Sequence, residues 1–184
     1  MKYLLQVEDD PNDVFLFQYA LKKAGVTNPV HVAEDGQQAI DYLKGTGEFA
    51  DRAAFPLPSL VLLDLKLPYV MGLDVLRWIR SQRVESIAVI ILSASAERTD
   101  ISEAYKLGAN AFLTKPSEAS QLESIARSIN DFWLTHNVFP QPLAIPINLA
   151  APRCGTPLHP VKRRSRRQRW VTPPALGAKS DGIH

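Results

Sequence analysis

The chain has 184 residues, of which 46% are hydrophobic, 22% charged and 8% aromatic, and Cys154 is its single cysteine. This composition is typical of a globular protein with one domain of about 100 to 150 residues and some residues to spare. It excludes an intramolecular disulfide and a cysteine-rich zinc site, and no apolar run reaches the roughly 18 residues that a membrane-spanning helix requires. We therefore expect a cytoplasmic protein without a membrane span.

The distribution of charge divides the chain near residue 140. Residues 1–140 contain 13 Lys and Arg against 18 Asp and Glu, whereas residues 141–184 contain 8 against 1 and half of the 14 prolines. A net charge of −5 is thus followed by a net charge of +7. We predict an acidic domain over 1–140 and a Pro-rich basic tail over 141–184. The tail is expected to be disordered, because it offers too little apolar surface to offset the entropy of ordering.

Five short apolar runs predict β-strands. The runs LVLLD and AVIIL lack polar alternation, which is typical of strands that are buried on both faces. In chain order, the predicted strands cover residues 3–7, 30–33, 60–63, 88–92 and 111–113.

Helical patterns separate these strands. The first helix is predicted from Asp10 as its N-cap, Pro11 as its first residue and Gly25 just past its end. Its apolar face is predicted to consist of Phe15, Leu16, Tyr19 and Ala20. Further helices are expected near 37–43, 73–80 and 100–107, and the fifth runs from Glu118 along an apolar stripe. The residues of that stripe are Leu122, Ile125, Ile129, Phe132 and Trp133.

This alternation predicts an α/β fold, a doubly wound five-stranded parallel sheet with helices on both faces. Sites in such folds lie at the carboxyl ends of the strands. Polar side chains stand just beyond the predicted strands at that edge, namely Glu8, Asp9, Asp10, Asp64, Ser93 and Lys115.

Each of these residues taken alone could simply cap a strand end. Together, clustered acids repel one another and favour a bound cation, and oxygen ligands without sulfur or histidine suit Mg²⁺ or Mn²⁺. A metal held by Asp9 and Asp64, with Lys115 opposite, would neutralise a phosphoryl group in transfer, and Asp64 would be the nucleophile. The chain lacks a G-x-x-x-x-G-K-[ST] loop, so a bound nucleotide is not expected to be the phosphoryl donor.

Five motifs in order resemble the receiver domain of two-component response regulators. They are VEDD at 7–10, LLDLKLP at 62–68, Gly72, LSAS at 92–95, and Phe112 with Lys115 and Pro116. The resemblance spans residues 1 to about 137. It implies a flavodoxin-like (βα)5 fold and a function as a phosphorylated switch.

The resemblance also implies roles for individual residues. Asp64 is the expected phosphoacceptor, Ser93 the switch hydroxyl, Phe112 the switch aromatic and Lys115 the lysine that binds phosphate. Mg²⁺ is expected to bind Glu8, Asp9, Asp64 and the backbone carbonyl of Lys66. The implied partner is a sensor histidine kinase. Beyond self-catalysed phosphorylation and dephosphorylation of Asp64, no enzymatic turnover is implied.

Two segments narrow the resemblance to the small stand-alone regulators of cyanobacterial and bacterial phytochrome kinases. They are GTGEFADRAAFPLP at 45–58 and SINDFWLTHNVFP at 128–140. Regulators of this kind commonly pair through the fourth helix, fifth strand and fifth helix. Phe132 and Trp133 are thus either dimer contacts or ordinary core residues.

Other features leave alternatives open. Tyr69, Val70 and Met71 form a more apolar loop than receivers usually have before the glycine. A phosphoaspartyl phosphatase would carry a second Asp two residues after its nucleophile, where this chain has Lys66. A degenerate receiver that only binds partners is a second rival. A nucleic-acid binder acting through KRRSRRQRW at 162–170 is a third, although an extension without function is the favoured interpretation of the tail.

Overall fold

The computed structural model describes residues 1–82 and 87–140. Within them, strands and helices alternate along the chain in five units. The strands are β1 (Leu4–Val7), β2 (Val30–Ala33), β3 (Leu60–Leu63), β4 (Ala88–Ser93) and β5 (Ala111–Thr114). The helices are α1 (Pro11–Lys23), α2 (Gly36–Lys44), α3 (Gly72–Ser81), α4 (Arg98–Lys106) and α5 (Ala119–Ser128). The predictions for the tail lie outside the described residues.

The strands form one parallel sheet in the order β2-β1-β3-β4-β5. This confirms the predicted doubly wound, flavodoxin-like topology. The direction of winding reverses between β1 and β3, and ligands of open α/β sheets bind at such a reversal. The carboxyl ends of β1 and β3 are therefore where a site is expected.

Two apolar clusters lie on the two faces of the sheet, because successive side chains of a strand point to opposite faces. Leu5 and Val7 belong to the cluster that includes residues of α2, α3 and α4. Leu4 belongs to the cluster that includes residues of α1 and α5. Every residue of β1, β3 and β4 is buried, as the runs LVLLD and AVIIL predicted for β3 and β4.

Helix α1 begins as predicted, but its predicted apolar face is wrong. The Asp10 side chain accepts from the Asn12 amide and caps the helix. Phe15 is 67% exposed, and Leu16 and Tyr19 are exposed as well, so of the predicted face only Ala20 is buried. The buried stripe is instead Phe17, Ala20 and Leu21. The helix is apolar around much of its circumference, so periodicity alone does not choose between the stripes, whereas packing against α5 and the sheet does.

The fifth helix continues beyond Ser128 as a π-helical segment over Ile129–His136. Ile129 is buried, and Trp133, Leu134 and Phe139 pack against the cluster on the α1 and α5 face. The Lys2 ammonium donates to the carbonyls of Trp133, Leu134 and Asn137 at 3.4, 2.7 and 3.0 Å. These bonds satisfy carbonyls that the end of a helix leaves free.

The insertion at 45–58 is held by one arginine. Arg52 donates to the carbonyls of Tyr42, Leu43 and Phe55, and the Tyr42 hydroxyl donates to the Pro56 carbonyl at 2.9 Å. Phe49, from a short 3₁₀ turn over Gly47–Ala50, is buried with the first cluster. The segment therefore extends the core at the amino end of β3. None of the helices in the described ranges has the length and apolar character needed to cross a bilayer.

Candidate functional site

Three carboxylates meet where β1 and β3 end. Glu8 and Asp9 directly follow β1, and Asp64 directly follows β3. One oxygen of each carboxylate lies within 4.8 Å of the others. Glu8 and Asp64 are buried and Asp9 is exposed. The third acid after β1, Asp10, caps α1 and does not join this cluster.

The Asp64 carboxylate is fixed by its own loop and by a lysine. Its Oδ1 accepts from the backbone amides of Leu65 and Lys66, the latter at 3.3 Å. Its Oδ2 accepts from Lys115 Nζ at 2.9 Å. Both oxygens are thus oriented by donors, as a group positioned for attack on an electrophile requires.

Lys115 follows β5 and reaches back across the sheet edge. Its backbone amide donates to the Ser93 carbonyl at 2.9 Å, which prolongs the pairing of β4 and β5. Its Nζ donates to Glu8 at 2.5 Å, Asp13 at 2.8 Å and Asp64 at 2.9 Å. An ammonium has three N–H donors, so these carboxylates use all of them. Burial alone would lower the pKa of Lys115, but the hydrogen bonds to Asp13, Glu8 and Asp64 outweigh it and raise the pKa above its usual value.

Burial acts in the opposite sense on Glu8. Removal from water penalises its charged form and raises the pKa of Glu8 to about 7, although Lys115 lowers it in part. Glu8 therefore titrates close to neutral pH in the protein without a cation. A divalent cation among the three carboxylates would favour the ionised form.

The donor set fits a hard cation. Carboxylate oxygens without nitrogen or sulfur ligands suit Mg²⁺ and Mn²⁺. The Glu8, Asp9 and Asp64 oxygens are near enough to share one ion. The carboxylate cluster predicted from the sequence is thus present and could bind a divalent metal.

The two predicted switch residues lie on the neighbouring strands. Ser93 is fully buried at the end of β4, and its Oγ accepts from the Ser95 amide at 3.5 Å. Phe112 on β5 is half-buried against the first cluster, and its backbone amide donates to the Tyr105 hydroxyl at 3.2 Å. Lys66 is exposed, and its amide contacts Asp64 as described.

Phe132 and Trp133 belong to the C-terminal helix and not to the carboxylate cluster. Their rings are perpendicular with centroids 5.0 Å apart. Trp133 packs against the core, whereas Phe132 is 56% exposed. Core packing therefore accounts for Trp133, whereas a role of the pair in dimerisation stays a prediction.

Sequence reasoning missed Asp13. It lies in the first turn of α1, where an acid is ordinarily explained by the positive end of the helix dipole. Its position in the sequence therefore does not indicate a role in the site. Only the folded chain shows that its carboxylate meets Lys115, which is 102 positions away in the sequence.

The loop from β3 to α3 has an unusual backbone. Tyr69 has φ +62, the left-handed region that side chains rarely occupy, and it is 91% exposed. The Val70 carbonyl oxygen lies 2.1 Å from where a β-carbon on Gly36 would stand, so the loop rests directly on the start of α2. This loop carries the apolar sequence that departs from the usual receiver pattern.

Known proteins of one family are similar to this chain. The family model of the response regulator receiver domain matches residues 4–127. The probable methanogenesis regulatory protein FilR2 of Methanothrix harundinacea is 35% identical over 140 residues, which are 76% of this chain and 88% of FilR2. Response regulator Rcp1 of Synechocystis is 34% identical over 134 residues, which are 72% of this chain and 89% of Rcp1.

Solved structures give the same result. The phosphorylated cyanobacterial phytochrome response regulator RcpA is 38% identical, with a TM-score of 0.70 over 76% of this chain and 99% of RcpA. The Mn²⁺-bound form of Rcp1 is 32% identical, with a TM-score of 0.69 over 77% of this chain and 100% of Rcp1. This chain therefore belongs to the receiver domain family of two-component response regulators. Its similarity to small phytochrome response regulators, expected from the motifs, is confirmed.

Proposed function

We propose that this receiver accepts a phosphoryl group on Asp64 from a phosphohistidine of a sensor kinase and then changes a surface that a partner reads. The observation that carries the proposal is the placement of Asp64. Its carboxylate contacts Lys115 at 2.9 Å and lies within reach of Glu8 and Asp9 at the switch point of the sheet.

The transfer follows from the residues present. A carboxylate oxygen of Asp64 attacks the phosphorus, and the bond from phosphorus to the histidine nitrogen breaks. The electron pair returns to the imidazole, which takes up a proton, and an acyl phosphate remains on Asp64. The Leu65 and Lys66 amides orient the attacking carboxylate, and the Lys115 ammonium offsets negative charge on the phosphoryl oxygens.

Mg²⁺ is the proposed cofactor, held by Glu8, Asp9, Asp64 and, as the family resemblance implies, the Lys66 carbonyl. When bound, it supplies positive charge that offsets the charge of the transferring group. The carboxylate cluster supports this assignment, and so does the Mn²⁺-bound form of Rcp1. Mg²⁺ is preferred to Mn²⁺ here because three oxygens and no imidazole present the harder donor set.

The proposed conformational change after phosphorylation involves Ser93 first and then Phe112. Ser93 moves onto the new phosphoryl oxygens, and Phe112 turns inward into the space that this leaves. Ser93 ends β4 and Phe112 lies on β5, and α4 connects these two strands. The altered surface is therefore proposed to be the one formed by α4, β5 and α5. Phe132, in the segment that continues α5, is exposed, and we propose it as a contact of a homodimer that forms through this surface.

The partner is proposed to be a phytochrome-type histidine kinase in the cytoplasm. The support is the similarity to RcpA and Rcp1, the first of which is a phytochrome response regulator. The exposed Phe15, Leu16 and Tyr19 of α1 form an apolar face that such a kinase could contact, on the helix that begins beside the acid cluster.

A turnover phosphatase is disfavoured, because Lys66 stands where that chemistry needs a general acid. We take residues 1–140 as the functional domain, with 141–184 as a separate tail.

The test is phosphorylation of the full chain by a small acyl phosphate with Mg²⁺. We expect one acid-stable, hydroxylamine-labile phosphate per chain, and none on Asp64→Asn. Asp9→Ala should label poorly at millimolar Mg²⁺ and recover in part at higher concentration, because the remaining oxygens bind the ion weakly. Equal labelling of Asp64→Asn would remove Asp64 from its role.

A further inference from the structure

Asp13 contacts the lysine of the site but lies outside the carboxylate cluster that could bind a metal. We propose that Asp13 is a positioning residue for phosphoryl transfer, which holds the Lys115 ammonium at the pocket while Glu8 and Asp64 engage the cation and the phosphoryl group. This inference rests on the proposed function of Asp64.

The contact joins two well-anchored elements. Asp13 is the third residue of α1, whose start is fixed by the Asp10 cap and by Pro11. Lys115 is fixed by the hydrogen bond from its backbone to the carbonyl of Ser93 on β4. The Oδ2 of Asp13 lies 2.8 Å from Lys115 Nζ, a distance between those to Glu8 and Asp64. A helix and a strand end therefore set the place of the ammonium.

The other two partners of Lys115 are needed elsewhere during the reaction. Glu8 and Asp64 both belong to the carboxylate cluster that could bind the metal, in which one oxygen of each residue lies within 4.8 Å of the others. In the proposed reaction, Asp64 also forms the new bond to phosphorus. An oxygen that binds a cation or phosphorus is a weaker acceptor for the ammonium. Asp13 has no such second task, so one N–H of Lys115 can stay on Asp13 while the other two turn to phosphoryl oxygens.

Exposure also distinguishes Asp13 from the other partners. Its side chain is 41% exposed, against 5% for Glu8 and 8% for Asp64. The Asp13 carboxylate can therefore keep contact with water while it accepts from Lys115. It does not have to move out of the pocket when a phosphoryl group arrives. Because a lysine stem is flexible, a fixed acceptor at its tip reduces the freedom that must be lost when the phosphoryl group arrives.

The test is a double-mutant cycle on the full chain, with acetyl phosphate as the probe and Mg²⁺ at saturation. Asp13→Asn keeps the shape of the side chain and removes its charge, and we expect the rate constant of labelling to fall roughly three- to tenfold. Lys115→Ala should label more slowly still, and Asp13→Asn should cause no further loss in the Lys115→Ala background. Asp13→Glu, which keeps the charge, should recover part of the rate.

Glu48→Gln is the matched control. It removes the same charge from an exposed residue in the connection that leads into the amino end of β3, away from the site. We expect its labelling rate to equal that of the wild type. Circular dichroism of each variant shows whether the fold is retained.

Two results would overturn the inference. One is an unchanged or faster rate in Asp13→Asn, and the other is a loss of the same size whether or not Lys115 is present. The proposed function fails separately: it is wrong if the wild type gains no phosphate or if Asp64→Asn gains as much. A labelled wild type with an equally fast Asp13→Asn would reject the role of Asp13 alone.

Discussion

Gly72 lies against the backbone of Asp64, at a distance that leaves no room for a side chain. A β-carbon on Gly72 would stand 2.0 Å from the Asp64 carbonyl oxygen and 2.8 Å from the Leu65 Cα, and the Gly72 amide donates to the Leu65 carbonyl at 3.0 Å. The first residue of α3 thus packs directly against the backbone of Asp64, the proposed phosphoacceptor. Because the obstacle is backbone and cannot rotate away, the position of Asp64 depends on this glycine.

Gly72→Ala is therefore expected to lower the free energy of unfolding by about 2 to 3 kcal/mol and to slow labelling of Asp64. Urea denaturation and acetyl phosphate labelling measure the two effects. Gly47→Ala is the control, because Gly47 has φ +61 but nothing within 4 Å of an added β-carbon. It should lose only about 1 kcal/mol, from backbone strain, with labelling unchanged. Equal losses in both variants would contradict the packing argument.

Tyr69 is expected to strain the fold slightly. Its backbone has φ +62, a conformation that costs Asn less than Tyr, so Tyr69→Asn should raise the free energy of unfolding by about 0.5 to 1 kcal/mol. The side chain is almost fully exposed, so little packing is lost. Val138→Asn, a change at another exposed apolar residue, should shift stability by less than about 0.5 kcal/mol. A loss of stability in Tyr69→Asn would show that the Tyr69 ring contributes more than the backbone costs.

Mg²⁺ binding is expected to strengthen as pH rises through neutrality. Burial raises the pKa of Glu8 to about 7, and a metal ligand must be deprotonated, so below that pH binding has to displace a proton. Calorimetric titrations between pH 6 and 8 should show affinity that rises and then levels off, and Glu8→Gln should flatten the profile. An equally steep profile in Glu8→Gln would assign the proton to another group.

The same group sets a pH dependence of stability in the metal-free protein. Glu8 ionises at a pKa of about 7 when folded and about 4.5 when unfolded, so the folded state holds the proton longer. Its contribution to stability is present below the unfolded pKa and is lost as pH rises toward the folded one. The free energy of unfolding of the wild type should therefore fall between pH 5 and pH 8 by more than that of Glu8→Gln, as urea denaturation at the two pH values would measure. An equal change in both proteins would contradict this role of Glu8.

Phe132 and Trp133 should respond differently to substitution. Trp133→Ala removes a ring packed against the core and should cost about 3 kcal/mol of stability. Phe132→Asp changes an exposed ring and should leave the free energy of unfolding within about 0.5 kcal/mol, while it weakens any dimer. Sedimentation of the phosphorylated protein measures the second effect. A dimer that tolerates Phe132→Asp would exclude Phe132 from its interface.

Truncation after Pro140 tests the tail separately. Removal of residues 141–184 deletes a segment of net charge +7, and folding and phosphorylation should persist nearly unchanged. Any affinity of the full chain for nucleic acid should disappear with the tail. Before truncation it should fall on the order of a thousandfold between about 50 and 200 mM salt, if six or so phosphates are contacted. Salt-independent binding, or none, would reject a nucleic-acid role for the tail.

The sequence predicted those parts of the fold that local pattern determines. Runs such as AVIIL indicated buried parallel strands, and once the strands were placed, Asp9 and Asp64 had to share an edge of the sheet. The buried face of α1 could not be predicted, because Leu16 and Phe17 are both apolar and only the position of α5 selects between them. Asp13 escaped for a related reason, since its partner Lys115 is brought near by the closing of the whole sheet.

The bonds from Lys2 to the carbonyls near residue 137 bring the two ends of the described domain together. Lys2 precedes β1, so this junction lies at the amino edge of the sheet, while the carboxylates occupy the other edge. Such closeness of ends favours circular permutation, because a short linker can join them without passing over Asp64. A fluorescent reporter placed at this junction would remain clear of Asp64, provided that Lys2 is retained.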